Sequence, residues 1–361
     1  MVREQRMWDE NQQATSVARL SKGSVLVIMT GGIGDTVIGI PFLSVLKESA
    51  PQLKISVLAD PLNKEILMGR PEICDFISFP HSRSVSSLVR LIMTLRRKRF
   101  AAIVSLLPSN LKSHSVLAMF SGSITSVKHL HHFQEKDHDW QIWFTDLVQD
   151  NEDRHRVLAN LELIRPLGMD ISRFSPIDVQ RRMRIILSPQ ERDRARHRYP
   201  KPSSSTVRIG FHPGCKLGWE FKQWDHRKYS ELADRIIHEQ CAEVIWFGGK
   251  DEMGIVESIM GRMTGKSITV AGKLLLRDTA ALIGTCDLFV SNDSGLMHVA
   301  TAVDVTTIGL FSSTNPRNNP VRTGPYGSQH GVVQAADLQH ISVDDVHAEI
   351  VNRLKNRDER L

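Results

Sequence analysis

The strongest constraint on the fold is an alternation of short apolar runs with longer amphipathic ones, which runs, pauses and then restarts. In the first half the short runs are "SVLVIM" (Ser24–Met29), "KISVLAD" (Lys54–Asp60), "FISFP" (Phe76–Pro80) and "AAIVSLL" (Ala101–Leu107). Each is rich in Val and Ile and bounded by polar or turn residues, as a strand buried on both faces would be. Between them lie helix-length segments such as "PFLSVLKESA" and "VSSLVRLIMTLRRKR". Strands alternating with helices predict an α/β fold with a parallel sheet covered on both faces. A helix is expected over "RHRVLANLELIRPLGM" (Arg154–Met169), ending near Gly168.

The pause is "HRYPKPSSST" (His197–Thr206), whose Pro and Ser content marks it as the expected linker. Beyond it strands are predicted at "VRIGFHPG", "AEVIWFGG", "SITVAG", "DLFVSN" and "VTTIGLF", again with helical segments between them. The expectation is two doubly wound, Rossmann-like domains facing a cleft, residues 1–185 and 186–361. The chain's 361 residues suffice for two complete cores. In such sheets ligands bind outside the carboxyl ends of the strands.

Composition narrows the class. No apolar stretch approaches the roughly 18 residues that span a bilayer, and the polar N-terminus lacks a signal peptide's apolar core. Cys74, Cys215, Cys241 and Cys286 match no zinc or redox spacing, which suits a reducing cytoplasm. The net charge is +6, with basic runs at Arg90–Phe100 and Arg181–Arg198. These read as solvated helix faces, or as attraction to anionic lipid head groups at the inner face of the plasma membrane or to a phosphorylated acceptor. No nucleic-acid motif accompanies them, so no nucleic-acid partner is expected. The His129, His131, His132 and Asp137–Asp139 region fits no metal-ligand pattern, and no metal or cofactor is expected.

The loops at predicted strand ends carry the chemistry. "MTGGIGDTVIGIPFL" (Met29–Leu43) has the strand–turn–helix form of a nucleotide loop, with Gly32 and Gly34 as its "GxG" and Asp60 at the end of the next strand. Val37 stands where a dinucleotide loop has its third glycine, and Asp35 puts a carboxylate where a phosphate would lie. Asp35 is therefore a helix cap or the handler of something other than a phosphate. In "FHPGCKLGWEFKQW", Lys222 precedes a helix expected to start near Asp225, and it reads either as a lysine that reaches a phosphate or as a surface lysine beside two tryptophans. In "FGGKDEM", Gly248 and Gly249 allow close backbone approach, and Asp251 or Glu252 is placed to accept from ribose hydroxyls or to favour a helix start. "AGKLLLRDT" offers backbone and apolar groups to a base. "LFVSNDSGLMHVATAV" runs from a strand through a turn into a helix, and the amides of Gly295, Leu296 and Met297 form an anion site. Asp293 or Ser294 caps that turn, and His298 on the first helical turn reads equally as a phosphate contact or a packed histidine.

Taken in order, "GGIGDTVIGIPFLSVLKESAPQLKISVLAD", "HPG…FKQWDHRKYSELADRI", "FGGKDE" and "VSNDSGLMHVATAV…GLFSSTNP" resemble glycosyltransferase family 9, which contains the ADP-heptose:lipopolysaccharide heptosyltransferases. The resemblance implies a GT-B fold, with the acceptor held by the first domain and a nucleotide sugar by the second. It also implies an inverting, metal-independent transfer to a glycan or lipid-linked acceptor. By the same resemblance Asp35 matches the general base, Lys222 the lysine at the donor phosphates, and Glu252 the acid near the donor ribose. Asp293, Ser294 and Gly295 match the "DSG" turn at the donor. One departure concerns the donor: members with lipopolysaccharide roles often have small hydroxyl residues ahead of the lysine, where this chain has "CKLGWEF". The competing readings are a transferase using another nucleotide sugar or a non-lipopolysaccharide acceptor, a dinucleotide-dependent dehydrogenase, and a non-catalytic sugar-nucleotide-binding or lipid-binding protein.

Overall fold

The computed structural model describes residues 23–80, 84–108, 112–130, 143–151, 153–316 and 318–358. They form two compact units that divide between Met183 and Arg184.

The first unit holds β1 (Ser24–Met29), α1 (Ile33–Ser49), β2 (Lys54–Ala59), α2 (Pro61–Leu67), β3 (Ile73–Ser78), α3 (Val85–Lys98) and β4 (Ala102–Ser105). It continues with α4 (Lys112–Phe120), β5 (Thr125–Leu130), β6 (Asp146–Gln149), α5 (Arg156–Glu162) and α6 (Pro176–Arg182). Its six strands are parallel in the order β3-β2-β1-β4-β5-β6. The apolar run of β1 is buried from Val25 to Met29 because strands flank it on both sides and helices cover both faces. Right-handed crossovers put α1 and α2 on one face and α3 and α4 on the other, because the chain steps first one way from β1 and then back to β4.

Helix α1 is buried at every residue from Thr36 to Leu46, including Pro41. A helix apolar all round needs cover on all sides, and α5 and α6 pack on the side away from the sheet. A Cβ at Gly39 would stand 2.5 Å from Met29 Cε and 3.0 Å from Leu106 Cδ1, so glycine sets how closely α1 lies on the sheet. The helix expected over Arg154–Met169 is α5 followed by a separate 3-10 turn at Arg165–Leu167, interrupted where Pro166 lacks an N–H. Gly168 ends that turn in the left-handed region, at φ 79°.

The second unit comprises α7 (Pro189–Arg198), β7 (Arg208–His212), α8 (His226–Gln240), β8 (Glu243–Trp246), α9 (Met253–Met260), β9 (Ile268–Thr269) and α10 (Leu276–Ile283). It ends with β10 (Leu288–Asn292), α11 (Gly295–Ala302), β11 (Thr306–Ser312), α12 (Pro320–Thr323), β12 (Gly331–Ala335) and α13 (Val343–Asp358). Its parallel sheet runs β12-β11-β10-β7-β8-β9, so each unit repeats the 3-2-1-4-5-6 order of a doubly wound nucleotide-binding fold. The core is aromatic: Phe211, Trp224, Tyr229 and Trp246 meet at centroid distances between 4.9 and 6.2 Å, and Trp224 Nε1 donates to the Ile341 carbonyl at 3.0 Å.

The expected linker is corrected by this arrangement. Residues 197–206 join α7 to β7 inside the second unit, and the division falls two residues before the expected 185/186 boundary. Ion pairs hold the segment and the helix before it there. Lys201 donates to Asp287 at 2.5 Å, and Arg277 grips the Glu191 carboxylate at 2.5 and 2.8 Å while Ser188 donates to it from α7's N-terminus. Composition marks a turn-rich stretch but is blind to such pairs. The Arg277 hydrogen bonds outweigh partial desolvation and hold the Glu191 carboxyl at about 2 rather than 4.5. A lowered folded-state value gives stability that is complete above pH about 4.5 and is lost as pH falls towards 2. In thermal unfolding, the advantage of the wild type over Glu191→Gln should therefore shrink across that window.

Candidate active site

In a doubly wound sheet the crevice opens where the strand order reverses, which in the second unit lies between β7 and β10. Ser291 on β10 is in register with His212, the last residue of β7. Asn292 then ties the two strand ends together. Its Nδ2 donates to the Pro213 carbonyl at 2.7 Å, and its Oδ1 accepts from Trp224 N and the Tyr229 hydroxyl at 3.2 and 3.1 Å. The loops carrying Lys222 and Ser294 are thereby fixed side by side.

Ser294 is the residue that caps α11, accepting over a long contact of 3.5 Å from Met297 N. Asp293 is engaged elsewhere, where its buried Oδ2 accepts from Lys222 Nζ and, at 3.1 Å, from Asn318 Nδ2. The same ammonium lies over the Trp219 ring, 4.7 Å from its centroid. Gly295 and Leu296 open α11 behind this pair, and His298 is buried on its first turn. The N–H groups of a helix's first turn have no partner within the helix and carry its positive dipole end. A lysine and a helix N-terminus therefore converge on one place, an arrangement suited to a diphosphate.

Of the two acids in "GKDE", Asp251 is exposed and Glu252 is buried. Glu252 accepts from Gly249 N at 2.6 Å and lies 3.0 and 3.1 Å from His212 Nε2, whose Nδ1 is 2.8 Å from Ser294 Oγ. Since an ionised carboxylate only accepts, Nε2 carries a proton. Burial raises the Glu252 pKa, but His212 and the Gly249 N–H more than offset it, leaving the carboxyl below its ordinary value. The chain Glu252–His212–Ser294 links the "GGKDE" loop to the α11 turn. Glycine is required beside it: a Cβ on Gly214 would fall 1.8 Å from Glu252 Oε1, and one on Gly248 3.0 Å from Oε2. At the departure from the family's hydroxyl residues, Cys215 is buried and its Sγ donates to the Trp219 carbonyl at 3.1 Å. Burial pushes its thiol up to about 11, so it stays neutral.

In the first unit, Asp35 lies inside α1 as its third residue rather than in the loop ahead of it. Its Oδ2 accepts from Gly32 N at 2.9 Å, which satisfies one N–H at the start of α1, and its Oδ1 lies 3.2 Å from Arg156 Nη1. Capping does not preclude chemistry for Asp35, since the side chain holds the helix start and is still about a quarter exposed. The carboxylate occupies the helix N-terminus, where a dinucleotide would put its diphosphate, and this argues against the dehydrogenase reading. Gly32 is the N-cap and Gly34 lies within the first helical turn. The sterically required glycine is Gly31, where a Cβ would stand 2.6 Å from Asp35 Cβ and 2.9 Å from Pro108 Cδ. Buried His114 pins the approach to this turn, bridging Thr30 Oγ1 at 2.7 Å and Ser105 Oγ at 2.9 Å. Burial, helped by Lys128, lowers its pKa to about 3, so it is neutral.

Sequence reasoning misses His212, Asn292, Asn318 and Arg156. His212 and Asn292 carry a signal, because each closes a strand beside the switch point. Arg156 reaches Asp35 from 121 residues away and carries none. Among the described residues no group of three His, Cys, Asp or Glu is placed to hold a metal ion. His131, His132 and Asp137–Asp139 lie outside the described residues, while His129 is buried in β5. No described helix is long and apolar enough to cross a membrane.

Comparison with known proteins bears on the family and the fold. The chain is 28% identical over 312 residues to lipooligosaccharide heptosyltransferase 2 of Haemophilus influenzae, covering 82% of this chain and 85% of that one. Its fold matches a glycosyl transferase family 9 structure from Veillonella parvula with a TM-score of 0.80 at 22% identity, over 93% of this chain and 98% of that one. It matches the E. coli ADP-heptose LPS heptosyltransferase II with a TM-score of 0.75 at 24% identity, over 93% and 99%. These structural likenesses support the pair of doubly wound units expected of a GT-B fold. The sequence model of glycosyltransferase family 9 (heptosyltransferase) matches residues 88–349, and the chain belongs to that family of glycosyltransferases.

Proposed function

We propose that this glycosyltransferase moves heptose from ADP-heptose to a lipopolysaccharide-type, lipid-linked acceptor in one inverting displacement, with no metal ion. The reading rests above all on one observation: Lys222, Asp293, Ser294 and the start of α11 converge at the switch point of the second unit. Asp35 of the first unit takes the proton from an acceptor hydroxyl as its oxygen bonds to the anomeric carbon. The bond from that carbon to the diphosphate breaks, and the electron pair leaves with ADP. Lys222 and the amides of Gly295 and Leu296 take up the negative charge that a divalent ion would otherwise neutralise. Glu252, near the donor ribose, serves mainly through His212, which it holds against Ser294. The names of the relatives support this choice of donor and acceptor.

The test is a thermal-shift series with ADP-, GDP- and UDP-sugars, followed by mass spectrometry of products on a delipidated lipopolysaccharide core with and without chelator. Stabilisation by ADP-heptose and a chelator-insensitive product one heptose heavier are expected. Transfer from another nucleotide sugar alone would overturn the donor assignment. Donor binding without turnover on any acceptor would favour a non-catalytic binding protein.

A further inference from the structure

The two basic runs differ in what their charges meet. In Arg181–Arg198, Arg182 pairs with Glu48, Arg184 with Asp304, Arg194 with Asp278 and Arg196 with Asp193. In α3 only Lys98 has such a partner, Asp75 at 2.6 Å; among the described residues no carboxylate pairs with Arg90, Arg96 or Arg97. The stretch from Val85 to Phe100 carries five basic residues, Arg90, Arg96, Arg97, Lys98 and Arg99, and no acidic one.

The inner side of α3 is ordinary. Leu91 and Leu95 are buried against Ile28, Leu58, Ile77 and Ile103, with Leu88 and Ile92 beside them. The outer side is not. Val85, Val89 and Met93 are 79%, 48% and 50% exposed. Spaced four apart, they form one apolar strip along the helix, and at 100° per residue the three unpaired arginines fall on or beside that strip. A solvated helix face would carry polar residues there.

We propose that this face of α3 docks on the surface of an anionic phospholipid bilayer. The three aliphatic side chains enter the boundary between head groups and acyl chains, and Arg90, Arg96 and Arg97 lie against the lipid phosphates. Charge complementarity selects this partner. The strip lacks the Trp and Tyr that anchor protein interfaces, while short aliphatic groups among unpaired arginines suit a shallow, charged boundary. Three apolar side chains are too few for permanent anchoring, so attachment is reversible and salt-sensitive. The proposal extends the reading of a lipid-linked acceptor but stands on α3 alone.

The experiment is flotation of the full chain with vesicles of phosphatidylcholine alone or mixed with phosphatidylglycerol. The wild type should rise with the phosphatidylglycerol vesicles only and be released by high salt. Arg90→Gln/Arg96→Gln/Arg97→Gln should weaken binding about a hundredfold, and Val89→Ser/Met93→Ser should also release the protein. Both variants should keep the donor-induced thermal shift and any transfer to a delipidated acceptor. A wild type that ignores phosphatidylglycerol, or a triple variant that floats equally well, would overturn the proposal. So would light scattering that finds a dimer dispersed by the same substitutions, because the face would then belong to a second copy. A failed transferase assay leaves the flotation result standing, so the two readings fail separately.

Discussion

Asp35→Asn is expected to lower kcat by about 10²–10⁴ while leaving donor affinity unchanged, since removal of a positioned base costs that much. Asparagine is the informative substitution because its amide oxygen still accepts from Gly32 N, so the cap of α1 survives. Stability should then fall by no more than about 1 kcal/mol, the scale of a cap. Isothermal titration with a donor analogue and single-turnover assays separate the two effects. Should donor affinity fall together with turnover, Asp35 would act on the donor and its role as base would be wrong. Arg156 Nη1 lies 3.2 Å from the other carboxylate oxygen, so the variant also tests whether this contact helps to hold the side chain in place.

Lys222→Met should be damaging twice over. It removes the cation proposed to meet the leaving diphosphate, for which a loss of about 10²–10³ in kcat is expected. It also takes the counter-charge from Asp293, which is 8% exposed and is left with the neutral amide of Asn318. Breaking one side of a buried pair costs about 3–5 kcal/mol. The Lys222→Met/Asp293→Asn double variant separates these losses. With no buried charge left it should recover much of the stability lost by the single variant, whereas activity should stay low. If the double variant were as unstable as Lys222→Met, the pair would not be the origin of the cost.

Most of the architecture can be read from residues because it is local and periodic. Runs such as "SVLVIM" and "DLFVSN" are buried parallel strands, and the helix expected near Asp225 starts with Asp225 as its cap. The family, and with it the doubly wound design, is likewise legible from four ordered motifs. The misplaced linker shows the limit: Pro and Ser at 197–206 signal a turn, but whether a turn separates domains depends on ion pairs such as Lys201–Asp287. The candidate site divides in the same way. Lys222, Glu252 and Ser294 stand in the loops that follow β7, β8 and β10 and can be singled out, yet which groups they pair with cannot be read. Choosing between Asp251 and Glu252 needs burial, and choosing between Asp293 and Ser294 as the cap needs the lysine's position. Arg156 beside Asp35 is a product of tertiary packing and leaves no local trace.

The all-round burial of α1 also bears on how the chain emerges from the ribosome. The helix is made early, between residues 33 and 49, but one of its sides is covered by α5 and α6, which end only at Arg182. Until those helices are synthesised, a strip of Ile, Val and Leu side chains has nothing to pack against. Extended intermediates with exposed apolar surface are prone to aggregation. The first unit should therefore close late in its own synthesis, and the uncovered side of α1 is where a holdase chaperone would bind the nascent chain.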